Sequence, residues 1–177
     1  LQLIREDILK SGKMNSWEAD DYLQWYDAYD RFLKEKGFDK AFPTVDDLTR
    51  SMGNVSFYYQ GRIIENIRIS NTVDAYAVNG WESMKLENHS GIVDNYRFPK
   101  GDPEVMARYN APLYLAVKMN RKVVSTGDTT LVDTYIVNEK NLKGSYILNL
   151  VAKDESGNVV ASHKERVTVK GGNNYGQ

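Results

Sequence analysis

The chain has 177 residues, and its 23 Lys and Arg against 24 Asp and Glu leave a formal charge of −1. That balance offers no basic surface to a polyanion, so nucleic acid is excluded as the expected partner. The absence of cysteine excludes disulfides and thiolate metal sites and leaves the redox compartment open.

No apolar run approaches the roughly 18 residues of a membrane span, and no signal peptide is visible. The chain opens on Leu1 rather than Met, as expected of an excised piece whose targeting signal lies elsewhere. Aromatic residues make up 11% of the chain, with 12 Tyr and 3 Trp, mostly in its first two thirds. That enrichment suits a sugar-binding surface and ordinary core packing alike.

Residues 1–10 read as a helix with Leu1, Ile4 and Ile8 on one face and Gly12 as its stop. Ser16 is the expected N-cap of a second helix, with Glu18, Asp20 and Asp21 placed to favour its N-terminus. Tyr22, Trp25, Tyr26, Tyr29, Phe32 and Leu33 recur at helical spacing up to Gly37. This stripe is expected to face the core rather than a ligand, because Gln24, Asp27, Arg31 and Lys34 make the opposite face polar. Thr44 and Asp47 resemble a capping box for a helix stopping near Gly53 and Asn54. A further helix is expected over 55–69, with Arg62, Glu65 and Arg68 on a solvated face.

The pivotal stretch is 74–94, DAYAVNGWESMKLENHSGIVD. Residues 75–78 read as a short apolar strand that breaks at Asn79 and Gly80. Trp81, Glu82, Asn88, His89 and Ser90 follow in a polar loop. A buried strand opening into such a loop is how an α/β barrel displays its site groups. Equally, Asn-Gly can mark a hairpin with Trp81 in the core.

Residues 97–103, RFPKGDP, are rich in turn-formers, and Pro103 opens a short helix through about residue 109. Beyond Pro112 the pattern is β: strands over 113–118, 129–137 and 145–153, a turn at 154–158, then Val159, Val160 and a last strand at 165–170. Strands at this spacing argue for an immunoglobulin-type sandwich, although fewer fit than the usual seven or so. A boundary near 105–112 divides a domain at 1–105 from one at 106–177. His163 falls between strands as an exposed residue. There is no phosphate-binding glycine loop, no dinucleotide fingerprint and no G-x-S-x-G. His89 and His163 show no metal-ligand spacing, so neither a metal nor a cofactor is expected.

The run GRIIENIRISN, followed by DAYAVNGWESMKLENHSGIVDNYRFPKGDPEVMARYNAPLYLAVK, resembles the end of the catalytic barrel in multidomain relatives of glycoside hydrolase family 2. This family includes β-galactosidase-, β-glucuronidase- and β-mannosidase-like enzymes. TGDTTLVDTYIVNEKNLKGSYILNLVAKDESGNVV resembles the immunoglobulin-like domain behind that barrel. The resemblance implies an α+β fragment, a helical remnant of a (β/α)8 barrel followed by an antiparallel β-sandwich. Residues 75–78 would be the eighth barrel strand. Trp81 would line the glycone pocket at its end, with Asn79, Glu82, Asn88 and His89 as pocket-wall, substrate-binding residues.

The implied parent is a retaining glycosidase acting on β-linked hexosides, periplasmic or extracellular by family. Its acid/base and nucleophile carboxyls match no segment here, and a whole barrel needs about 250 residues. No catalytic residue is therefore assigned, and the chain is expected to be an inactive internal fragment prone to self-association through its unpartnered strand. The other reading is a non-catalytic carbohydrate- or protein-binding module.

Overall fold

The computed structural model describes residues 1–82 and 91–171. Over these the chain is α+β, with four helices followed by two antiparallel two-stranded sheets. It divides into two compact units, Leu1–Asn110 and Ala111–Gln177.

In the first unit, α1 (Gln2–Ser11) ends on Gly12, whose φ of 66° is the left-handed turn that glycine adopts without strain. α2 (Trp17–Lys36) starts where the Ser16 hydroxyl accepts from the Ala19 N–H and ends at left-handed Gly37. α3 (Val45–Ser70) opens with a full capping box, in which Thr44 and Asp47 satisfy each other's backbone N–H groups. α4 (Pro103–Tyr109) is capped by the Asp102 carboxylate and has Pro103 in its first turn. Ala19, Tyr22, Leu33, Val45, Phe57, Ile64, Val93 and Tyr109 are the buried apolar residues of this unit.

Several expectations are corrected here. The helix expected to stop at Gly53 runs through it, and α3 absorbs the separate helix expected at 55–69. Gly53 is a packing residue: a Cβ there would lie 1.7 Å from the Lys100 carbonyl oxygen. Gly61, two turns on, plays the same part for Tyr109, whose ring would be 2.0 Å from an added Cβ. Helical continuity survives because one glycine costs only about 1 kcal/mol against alanine.

Of Arg62, Glu65 and Arg68, expected on a solvated face, Glu65 is buried and the two arginines are half-buried. Glu65 is 1% exposed and pairs with Arg62 at 2.6 Å. Arg68 Nη1 donates to the Tyr109 carbonyl at 2.5 Å, which ties α4 to α3. The aromatic stripe of α2 is split: Tyr22 and Leu33 are buried, whereas Trp25 and Phe32 are exposed. One helix face is wider than the contact that α1 and α3 make with it.

Residues 75–78 form no strand; they are irregular and exposed. A single extended segment has no ladder of its own. Among the described residues no strand lies beside it, so no ladder forms there.

The second unit holds β1 (Leu113–Met119), β2 (Val132–Asn138), β3 (Gly144–Lys153) and β4 (Val159–Val169). β1 pairs with β2 and β3 with β4, both antiparallel. The last two expected strands are one, β4, and His163 lies within it, exposed and 3.1 Å from Glu165. In β1 the residues Leu113, Leu115, Val117 and Met119 share one apolar, exposed face, while Ala116 on the other face is buried.

Candidate functional site

Three short segments of the first unit run side by side and carry Trp81. Its carbonyl accepts from Ile92 N–H at 2.9 Å and from Val93 N–H at 3.1 Å. Glu82 bridges Val93 in parallel fashion, and Val93 bridges Pro99 in antiparallel fashion. Lys100 N–H adds a bond to the Ile92 carbonyl at 3.0 Å. The turn between the second and third segments is built by Asp94, whose carboxylate accepts from Tyr96 and Phe98 N–H at 2.9 Å each. Arg97 at its corner has φ 65°.

This assembly is fastened to three helices. Tyr96 donates its hydroxyl to Asp7 on α1 at 2.5 Å. Asn95 donates to the Tyr22 hydroxyl on α2 at 3.2 Å. The Lys100 and Gly101 backbone lies against Gly53 of α3, and Asp102 N–H donates to Asn54 Oδ1 at 2.7 Å. The hydrogen bond to Asp7 pushes the Tyr96 phenol up to about 12, with burial adding to it. Burial also raises the Tyr22 phenol and lowers the Lys100 ammonium from its ordinary value.

Trp81 is thus held by its backbone while its indole is 65% exposed. Trp81 is therefore exposed rather than among the buried apolar residues described for this unit. Glu82 is half-buried and its carboxylate meets Arg97 Nε at 3.4 Å. The segment thus carries an exposed tryptophan and, on the next residue, a carboxylate in a solvent-open pair with Arg97. Asn79 is exposed in the preceding turn, whose Gly80 has φ 71°. Asn88 and His89 lie outside the described residues; of the expected group, Asn79, Trp81 and Glu82 are described, as near neighbours along the chain.

Arg97 was missed in the sequence because RFPKGDP reads as turn chemistry alone. Its available signal was an Arg and a Phe set directly before a proline, where exposed side chains are held on a stiff backbone. Among the described residues no cluster of acidic and histidine side chains is placed to hold a metal ion. No described helix is long and apolar enough to cross a membrane. No protein-family model, curated protein or solved structure matches the chain.

Proposed function

We propose that this chain is part of a glycoside hydrolase of the family 2 type, acting on β-linked hexosides by a retaining mechanism. In this reading the first unit is the C-terminal part of a TIM-type barrel and the second contributes strands to an immunoglobulin-like sandwich. Residues 75–78 take their strand partners from the rest of that barrel. The parent is exported, periplasmic or extracellular, and carbohydrate is its substrate.

The observation that supports the reading best is the Trp81 platform. A pyranose presents C–H groups on its face and hydroxyls at its rim. The exposed Trp81 answers the first, and the Glu82–Arg97 pair carried on the same three-segment assembly offers acceptor and donor groups for the second. Glu82 serves as a hydrogen-bond acceptor in the pocket wall. The carboxyl pair that protonates the leaving oxygen and attacks the anomeric carbon comes from elsewhere in the parent. Asp94 and Asp102 are spent on a turn and a helix cap. The isolated chain accordingly turns over no glycoside, and its uncovered 75–78 segment and β1 face favour self-association.

The test uses the full-length protein that carries this segment. Trp81→Ala is expected to lower kcat/KM for aryl β-hexosides by about fivefold, as loss of a stacking contact of about 1 kcal/mol implies, with the melting temperature unchanged. Unaltered kinetics would remove Trp81 from the pocket. β-Glycosidase activity from the 177-residue chain alone would overturn the placement of the catalytic carboxyls. Sugar binding without hydrolysis by the full-length protein would favour the binding-module reading instead.

A further inference from the structure

Asn79 and Gly80 carry chemistry that the glycosidase reading does not use. They are the one Asn-Gly pair in the chain. Every residue from 71 to 80 is exposed, and the stretch before Trp81 belongs to no helix or strand. Gly80 has φ 71°, a conformation that residues with a side chain rarely adopt. The turn therefore holds a glycine here, and with it an unhindered backbone N–H directly after an asparagine.

Other asparagine amides are held in place. Asn54 Oδ1 accepts from Asp102 N–H, Asn95 Nδ2 donates to the Tyr22 hydroxyl, and Asn110 Nδ2 donates to the Met106 carbonyl. Asn138 is bonded through both amide atoms to Leu142. Neither the Asn79 side chain nor the Gly80 N–H has a hydrogen bond to a described residue. Asn15 and Asn71 are exposed as well, but Ser16 and Thr72 follow them, and each puts a side chain beside the N–H in question. Free amide, free N–H, exposure and a following glycine coincide at position 79.

We propose that Asn79 is a site of spontaneous deamidation, a self-modification that places a carboxylate directly ahead of Trp81 and Glu82. Asparagine is among the thermolabile residues, and the nucleophile here is already tethered to its target. Gly80 N gives its proton to solvent base and attacks Asn79 Cγ, closing a succinimide ring. The Cγ–Nδ2 bond breaks, and Nδ2 leaves as ammonia with a proton taken from water. Water then adds to one of the two ring carbonyls and cleaves its bond to the Gly80 nitrogen. Addition at Cγ gives aspartate. Addition at the main-chain carbonyl gives isoaspartate, whose main chain runs through the former side-chain methylene.

Either product makes the formal charge of −1 more negative by one unit. Isoaspartate also lengthens the main chain just before Trp81, whose carbonyl is held by Ile92 and Val93. Age of the protein is thus written into the charge and spacing of the residues that lead into Trp81. The proposal stands on the turn alone and does not depend on the parent being a hydrolase.

Peptide mapping by mass spectrometry, during incubation of the 177-residue chain in warm, mildly alkaline buffer, tests it. Conversion of amide to acid is expected at 79 before 15 or 71, with isoaspartate detected by isoaspartyl methyltransferase labelling. The rate should climb with pH, because ring closure needs the Gly80 nitrogen deprotonated. Gly80→Ala should slow conversion about tenfold by crowding the attack. Asn79→Gln, which leaves the turn glycine in place, should abolish the early acidic species on ion exchange. Conversion at 15 or 71 as fast as at 79, an unchanged rate in Gly80→Ala, or an early acidic species that persists in Asn79→Gln would each overturn it.

Discussion

Gly53 and Lys100 meet backbone against backbone, and an added methyl on Gly53 would sit 1.7 Å from the Lys100 carbonyl oxygen. Helix propensity alone predicts that Gly53→Ala stabilises α3 by about 1 kcal/mol. The contact reverses the sign, because a backbone carbonyl cannot swing aside as a side-chain end can. The expected result is a net loss of about 2 kcal/mol, which for a unit of this size lowers the melting temperature by several degrees. A raised melting temperature for Gly53→Ala would remove the close approach.

The second glycine of α3 gives a coupled prediction. Gly61 faces the Tyr109 ring at 2.0 Å from its absent Cβ, and Tyr109 is buried. Gly61→Ala alone should cost about 1–3 kcal/mol by overpacking, and Tyr109→Ala about 3–5 kcal/mol. In the double variant the alanine at 61 fills space that the ring has vacated. The two losses should then fall short of additivity by about 1 kcal/mol or more in urea denaturation. Simple additivity would show that the two residues do not share the space.

Glu65 and Glu82 form ion pairs of unequal worth. Glu65 is 1% exposed and 2.6 Å from an Arg62 that is itself largely covered, whereas the Glu82–Arg97 pair at 3.4 Å is open to water. Removing one partner of a buried pair strands charge away from solvent, so Glu65→Ala should cost about 3 kcal/mol. Glu82→Gln should change stability by less than about 1 kcal/mol, since water screens that pair. Comparable losses for the two variants in urea denaturation would contradict this burial contrast.

Tyr96 supplies a pH dependence. Its phenol is pushed up to about 12 by donation to Asp7, from about 10 in an unfolded chain. A group whose folded value is raised stabilises fully below the unfolded value and loses that contribution as pH climbs through the folded one. Tyr96→Phe should therefore melt below the native chain from pH 7 to 9, and the gap should close between about pH 10 and 12. Direct tyrosine titration by ultraviolet absorbance should show one late-ionising phenol missing from the variant. An unchanged titration curve would rule out the bond to Asp7.

By itself the sequence determined the local structure wherever a signal spans three or four residues. Ser16, Thr44 with Asp47, and Pro103 mark helix starts, Gly12 and Gly37 mark stops, and each element begins or ends there. Such signals work through nearest neighbours, so these caps and stops form whatever the rest of the chain does. Alternation in the second unit likewise fixed which residues share a strand face, though not that β4 would run unbroken past His163. Only the tertiary structure decided the rest. Gly53 reads locally as a helix breaker and becomes a notch because the Lys100 backbone, far along the chain, fills the space. Glu65 reads as surface charge and is buried because Tyr109 and α4 cover that side of α3. Residues 75–78 have strand-forming side chains, yet a strand exists only through a partner's hydrogen bonds. Trp81, which the letters alone favoured as a core residue and the resemblance as a pocket one, is exposed, its backbone held by the bonds from Ile92 and Val93.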